Sequence, residues 1–477
     1  MKTTSRAPST WWSKGVAVFL LLLGVAALRD VARLGHDLPW NVAYDLPEFY
    51  CAGETLDSGH DPYRYEPMRT CEHRVDTTPS FRANPATAMP APQPPYDFPA
   101  FMALAKLSYP IARALWSLSI VAALALTSLA LWRLGMPLGA VVAALLLSAG
   151  FEHVDAGQVV PFALVSLALC GWTLAERRDA LAGVFAAATA IEPHLGAPVI
   201  LATLLFVPRA RASTIVTLAL LALTAWMVIG PNASIVYLTN VLPAQAGAEL
   251  TFPLQFSLTY ALHFFGASNG LALGAGSASF VAFALAGLAI APRLSERVGR
   301  RELLVFFPAA TAVMGGVFVH AVELCFAIPA ALTFALYAPG RWRTLGILAT
   351  AALAVPWILV WGIKKLWLAS VFVVAASAYC LRAGAWVFVA TVAAFAGGVY
   401  WLERFPGQLP HPHPLAVTAF APDSLLQTEW HAVIASLDVH QPLWLVVKLP
   451  AWCALAAVFA IAVRIAYGRR FQSQPLP

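Results

Sequence analysis

Asp45 stands in Tyr44-Asp45-Leu46-Pro47-Glu48-Phe49-Tyr50, just past the first long apolar run, Gly15 to Leu28, and a second aspartate follows in His60-Asp61-Pro62-Tyr63. A carboxylate held where water meets lipid can take a proton from a hydroxyl, which is base chemistry at a membrane face. Other acid–base residues recur between apolar runs: Asp97, Glu152, His153, Asp155, Glu192, His194, His320 and Glu323. His320 and Glu323 are three apart, so on a helix they share a face and can bond to each other. Asp61, Asp97 and Asp155 stand near Pro or Gly, where turn formation is the ordinary use of an aspartate. Glu152, His153, Asp155, Glu192 and His194 are also possible metal ligands; no zinc spacing occurs, and oxygen-ligand sites have no strict spacing to test. His411 and His413, in His-Pro-His-Pro, diverge along an extended loop and do not read as ligands. No Walker loop, dinucleotide fingerprint or Gly-x-Ser-x-Gly elbow is present, which argues against nucleotide-driven chemistry.

The elements that must position these groups are membrane helices. Sixty per cent of residues are hydrophobic and 11% are charged, against roughly 25% charged in a soluble domain. This composition predicts an all-α polytopic bundle with about 11 to 13 hydrophobic segments, some too short to cross alone. The first run lacks a small-x-small cleavage site and meets Arg29-Asp30 and Arg33, so it reads as an uncleaved anchor. The net charge of +6 is spread over short loops, a pattern that orients helices and does not suggest nucleic acid as a partner. With the N-terminus cytoplasmic, Arg133, Arg177, Arg178, Arg209, Arg211, Arg293 to Arg301, Arg341, Arg343, Arg382 and Arg464 to Arg470 all fall inside. Lys364 and Lys365 are the exception, on the outer face.

The same count requires Leu181 to Val207 to enter and leave by one face, turning at Glu192-Pro193-His194. Leu138 to Ala175 does likewise, turning at Phe151 to Gln158. Non-helical backbone at membrane depth is tolerated only inside protein or along a wet cavity, so two such turns imply a polar cavity open to the outside. Residues 1–467 read as one integral-membrane domain. Its first extracytoplasmic loop, 36–110, carries Asp45, an irregular proline-rich stretch from Pro79 to Pro95 and an interfacial helix over Ala100 to Tyr109. Further outer loops cover Pro231 to Gln255 and 403–443, and residues 468–477 form a disordered cytoplasmic tail. Cys170, Cys325, Cys380 and Cys453 lie in apolar runs and behave as small hydrophobes. Cys51 and Cys71 share the first outer loop and could close a disulfide loop, worth roughly 3 kcal/mol.

The order of these features resembles glycosyltransferase family 87, polyprenol-phosphate-mannose-dependent mannosyltransferases of the GT-C superfamily. The likeness lies in an Asp after the first span, Tyr50, Gly59-His60-Asp61-Pro62-Tyr63, Tyr96-Asp97-Phe98-Pro99, Gly157-Gln158, Gln255-Phe256-Ser257-Leu258 and an intramembrane His320, and it runs from about residue 15 to 330. The resemblance implies a multi-pass enzyme of the inner (plasma) membrane, its site facing the periplasm or exterior. A polyprenyl-phosphate sugar donor passes its sugar to a glycolipid or polysaccharide hydroxyl in one inverting displacement. Asp45 aligns with the general base and His320 with a histidine that contacts donor or acceptor. Glu323, Tyr50, Asp61, Tyr63, Tyr96, Gln158, Glu192, His194, Gln255 and Ser257 are further candidate binding residues. The leaving group is an already ionised lipid phosphate, so no metal or other cofactor is required. One departure stands out: many relatives have Lys-Pro where this chain has Glu192-Pro193, so Lys364, Lys365 or Arg64 must supply the positive charge, or the donor pocket differs. The competing reading is a secondary transporter or lipid flippase, which would place charges at the bilayer midplane between repeat-related broken helices; here they crowd toward one face and no repeat is visible.

Overall fold

The computed structural model describes residues 10–37, 43–75, 85–405, 420–436 and 441–468. His411, His413 and the tail from 469 lie outside them. The chain is an all-α polytopic helix bundle, and among the described residues the only β pairing is two isolated bridges. Among the described residues seven helices are long and apolar enough to cross a membrane, and five shorter apolar helices accompany them. Their outer sides carry exposed Leu, Val, Ile, Met and Trp, for example Leu21, Leu118, Met227 and Leu285, as expected where lipid takes the place of a partner.

The arginines gather helix ends at one face. Arg300 bonds the Leu134 carbonyl and stacks on Tyr337, Arg301 bonds the Leu174 carbonyl and Asp179, and Arg297 bonds the carbonyls of Ile465 and Gly468. Arg343 bonds the Leu381 carbonyl. Arg177, Arg178 and Arg209 line one groove on that face, so both arms of the Leu181–Val207 excursion start and finish together. The arms are the helices Asp179–Ala188 and Pro193–Phe206. The reversal is made by a 3-10 turn, Thr189–Ile191, and extended backbone at Glu192. Pro193 is therefore the first residue of the second arm, where its missing N–H is unneeded, and does not remove an interior hydrogen bond. The earlier excursion differs from expectation: Leu138–Ala156 is itself long enough to span. It bends through a π-helical stretch, Leu146–Phe151, before returning as Val160–Ala175.

Opposite the arginine face, the loop segments form a second layer. The helix Leu46–Asp57 packs on Phe98–Ala105, with Phe49 stacked on Phe101 at 5.0 Å. A Cβ at Gly53 would sit 2.3 Å from the Phe101 backbone, so only glycine permits that approach. Phe98–Ala105, at the place of the expected interfacial helix, buries Phe98 and Phe101 in this layer and leaves Pro99, Ala100 and Ala103 exposed. Cys51 and Cys71 are joined by a disulfide, tying this helix to Tyr65–Val75. The described part of the proline-rich stretch is irregular but buried. Its carbonyls at Ala86, Pro92 and Gln93 accept from the hydroxyls of Tyr65, Tyr237 and Tyr63; prolines have no N–H to satisfy, which suits them to such a strap. The late loop docks on the first: Leu426 N–H bonds the Tyr63 carbonyl and Tyr65 N–H the Ser424 carbonyl. The segment from Pro231 to Thr251, expected to be a loop, is helical throughout after a kink at Gly230, whose φ of +80° suits glycine.

Candidate active site

Asp45 precedes the helix Leu46–Asp57 but does not cap it with its side chain, so the carboxylate is free for another use. Its backbone is clamped: the Ala43 and Tyr44 N–H groups donate to the Asp155 carbonyl at 2.7 and 3.1 Å, and Asp45 N–H to Ala156 at 2.8 Å. Gly157 makes this docking possible. Its φ is +85°, and a Cβ there would lie 2.8 Å from Ala43 Cα. The next residue, Gln158, donates from its amide to the Asp45 carboxylate in a short bond. In Gly157-Gln158 the glycine therefore provides the close approach and the glutamine holds the Asp45 carboxylate. Burial pushes the Asp45 carboxyl up to about 7, against the Gln158 bond and the nearby charge of His320, which favour the ionised form. A carboxylate with that affinity is matched to accepting a proton near neutral pH.

His320 does not lie in a continuous span. The helix Leu303–Ala312 ends early, His320 is extended and bridges to Gln255, and a 3-10 helix, Ala321–Ala327, follows. In that geometry residues three apart eclipse, and His320 Nδ1 lies 3.5 Å from Glu323 Oε1. The pairing expected for an α-helix is thus made by an unwound segment instead.

From His320 a chain of alternating carboxylates and imidazoles runs both ways. Its Nε2 lies 3.1 Å from Glu249 Oε2, Glu323 Oε2 lies 3.0 Å from His194 Nε2, and His194 Nδ1 lies 3.8 Å from Glu192. Phe318 packs against both imidazoles. Glu249 is the hub: it also accepts from Gln245 at 3.1 Å, Gln255 at 3.2 Å and the Trp430 indole at 2.9 Å. Asp45 is within electrostatic range of His320, Asp155 and Glu249, which joins the two halves in one acidic centre.

The other candidates sort by what they touch. Gln255 belongs to the centre; its amide oxygen accepts from Val319 N–H at 2.7 Å and sets the extended segment at His320. Tyr96 bonds the Ala190 carbonyl at 2.6 Å and steadies the tip that carries Glu192. Ser257 is a helix cap, accepting from Tyr260 N–H. Tyr50 donates to the Leu107 carbonyl and packs on Tyr109, and Tyr63 bonds the Gln93 carbonyl. Asp61 closes a turn onto Tyr63 N–H and pairs with Arg64. Ser257, Tyr50, Tyr63 and Asp61 therefore have structural partners that account for them, because aromatic hydroxyls and turn carboxylates inside a packed loop layer must be satisfied locally. Lys364 is exposed and Lys365 half-buried, on the 3-10 turn Lys364–Leu366 packed against the first helix. Among the described residues no three His, Cys, Asp or Glu side chains converge as metal ligands.

Residues 93–319 match the model of glycosyltransferase family 87. Over that stretch the chain is similar to that family. Comparison with the curated proteins and with the solved structures finds no match. The family 87 segment contains Gln158, Glu192, His194, Glu249 and Gln255, whereas Asp45, His320, Glu323 and Trp430 lie outside it. Each of these outer residues bonds one inside the segment. The chain is thus a membrane glycosyltransferase whose acidic centre is completed by side chains from both flanks.

Sequence reasoning missed three residues. Glu249 hides in a segment expected to be loop. Glu48, one helical turn beyond Asp45, is buried, and burial with Asp45 beside it holds its carboxyl well above the usual carboxylate range. Lys448 is wholly buried at the start of the last helix.

Proposed function

We propose that this glycosyltransferase moves a hexose, mannose by its family resemblance, from a polyprenyl-phosphate carrier to a hydroxyl of a glycolipid or polysaccharide, with Asp45 as general base. The observation that carries the reading is Asp45 itself: a half-buried carboxylate not used as a helix cap, held by Gln158 and poised near neutral pH. The acceptor oxygen attacks the anomeric carbon while Asp45 takes its proton. The bond from that carbon to the phosphate oxygen breaks, and the electron pair leaves on the polyprenyl phosphate, inverting the anomeric centre.

His320 has both ring nitrogens committed to carboxylates. Its role in this reading is to hold positive charge near Asp45, so that the base is ionised when the hydroxyl arrives. With the arginine-lined face cytoplasmic, the acidic centre opens to the periplasm or exterior, where a polyprenyl-phosphate sugar would present its head group.

The test is transfer of labelled mannose from a polyprenyl-phosphate donor by the purified protein in lipid, with product stereochemistry read by NMR. Asp45→Asn should lower turnover by roughly 10²–10⁴ in a protein that still folds. Near-normal turnover in that variant removes Asp45 from the mechanism. Sugar crossing the bilayer with no label on any acceptor would instead support the transporter reading.

A further inference from the structure

Lys448 has no exposed surface and, among the described residues, no hydrogen-bond acceptor for its ammonium. Its Nζ lies 3.5 Å from the centre of the Tyr260 ring and 5.7 Å from that of Phe256. The Tyr260 hydroxyl is buried and also lacks a partner. Lys448 further occupies the N-terminus of a 19-residue helix, where the backbone dipole already favours negative charge and opposes a cation. A buried amine stacked on an aromatic face gains something from the ring when it is charged, but among the described residues no anion meets it or the helix N-terminus beside it.

We propose that Lys448 receives the phosphate of the lipid donor, with the Tyr260 hydroxyl as a second hydrogen-bond donor to the same group. This rests on the transfer reading above, which requires a cation that the acidic centre does not contain. The chain from Glu249 to Glu192 sets three carboxylates against two imidazoles, so even with both rings protonated it cannot attract a phosphate. Arg64 is tied to Asp61 and to the Asp423 carbonyl, and Lys364 is exposed.

Lys448 is linked to the centre by short steps. Phe256 N–H bonds the Val319 carbonyl at 2.6 Å, one residue before His320, and the Trp452 indole bonds the Phe256 carbonyl at 2.9 Å. The surroundings also suit a lipid. Leu258 and Leu449, the neighbours of Ser257 and Lys448, are 40% and 48% exposed on the apolar exterior, so an isoprenoid tail can lie in the membrane while its phosphate reaches one residue inward. The four residues Gln255-Phe256-Ser257-Leu258 then divide the work. Gln255 sets His320, Phe256 packs toward Lys448, Ser257 caps the Tyr260 helix and Leu258 faces lipid.

The test is binding of undecaprenyl phosphate, which carries no sugar to transfer, to the full-length protein by native mass spectrometry. Wild type, Lys448→Met and Lys448→Arg are compared, with undecaprenol and phosphatidylglycerol as competitors. Wild type and Lys448→Arg are expected to bind, and Lys448→Met to bind at least tenfold more weakly. A thermal midpoint for Lys448→Met no lower than wild type establishes that this loss is not unfolding. Equal binding by Lys448→Met overturns the assignment. So does equal competition by undecaprenol, which lacks the phosphate, or by phosphatidylglycerol, which would mark a site for ordinary phospholipid. If wild type transfers mannose and Lys448→Met does so with unchanged donor dependence, the assignment fails while the transfer reading stands. Failure of wild type to bind the carrier refutes both.

Discussion

Replacing Gln158 with Met removes the one side-chain hydrogen bond that, among the described residues, holds Asp45 in its ionised form, while keeping the length of the side chain. A hydrogen bond to a charged group contributes roughly 1.5–3 kcal/mol, and one pH unit corresponds to about 1.4 kcal/mol, so the affinity of Asp45 for its proton should rise by ~1–2 units. The sign follows from the role. A base works deprotonated, so kcat/KM in the wild type should rise with pH and level off above about 7, where burial has placed the Asp45 carboxyl. From pH 6 to pH 8 the deprotonated fraction goes from about one-tenth to about nine-tenths, a change of roughly tenfold in rate. In Gln158→Met the same limb should lie ~1–2 units higher, leaving a rate deficit at pH 7 that narrows on raising the pH. The assay is initial rate of sugar transfer at low substrate from pH 5.5 to 9.5, with folding checked at each pH. A limb that does not move in Gln158→Met, or a uniform loss of rate at every pH, would refute the idea that Gln158 sets the ionisation of Asp45 and leave it only a packing role.

Two further perturbations probe the frame around the base. Gly157→Ala forces an alanine into a left-handed conformation costing about 1–2 kcal/mol and pushes its Cβ onto Ala43, so the variant should melt lower and lose more activity than that stability change explains; a fully active variant would show that the clamp on Asp45 is dispensable. Cysteines placed near Glu192 and Asp155 should react with an impermeant thiol reagent added outside intact cells, and cysteines near Arg177 and Arg209 only after permeabilisation. The reverse pattern would invert the orientation and put the acidic centre in the cytoplasm.

How much of this was legible in the sequence depends on the length scale at which each feature is encoded. Apolar runs and arginine positions carry the bundle and the single-face return of Leu181 to Val207, because solvent and lipid act on whole segments. Asp45 was visible because it stands just past the first apolar run, and Gln158 because Gly157-Gln158 is part of the family resemblance. The pairing of Glu249 with His320 was not, since 71 residues separate them and no local rule links a carboxylate in one segment to an imidazole in another. The unwinding at His320 was also hidden: Val313 to Val319 is apolar throughout, and periodicity cannot distinguish a buried irregular stretch from a helix. Tyr50, Tyr63 and Ser257 were legible by type and by resemblance, and each makes a hydrogen bond with a backbone group.

The missing cation has the same physical origin. Charge in a sequence draws attention to loops, where lysines are solvated, and so to Lys364, Lys365 and Arg64. Lys448 lies between Val447 and Leu449 and looks like the end of an apolar run, yet burying it alone is among the least favourable placements a side chain can have. Asp45 is a milder case of the same kind, a carboxylate whose burial opposes the charge its chemistry needs. A fold rarely keeps two such liabilities without a return, and functional sites are where local rules are broken. An incoming hydroxyl gives Asp45 a donor, and an incoming phosphate gives Lys448 a counter-ion. The electrostatic strain at both groups would then be relieved by the same substrates, so that binding energy is concentrated at the two ends of the bond being exchanged.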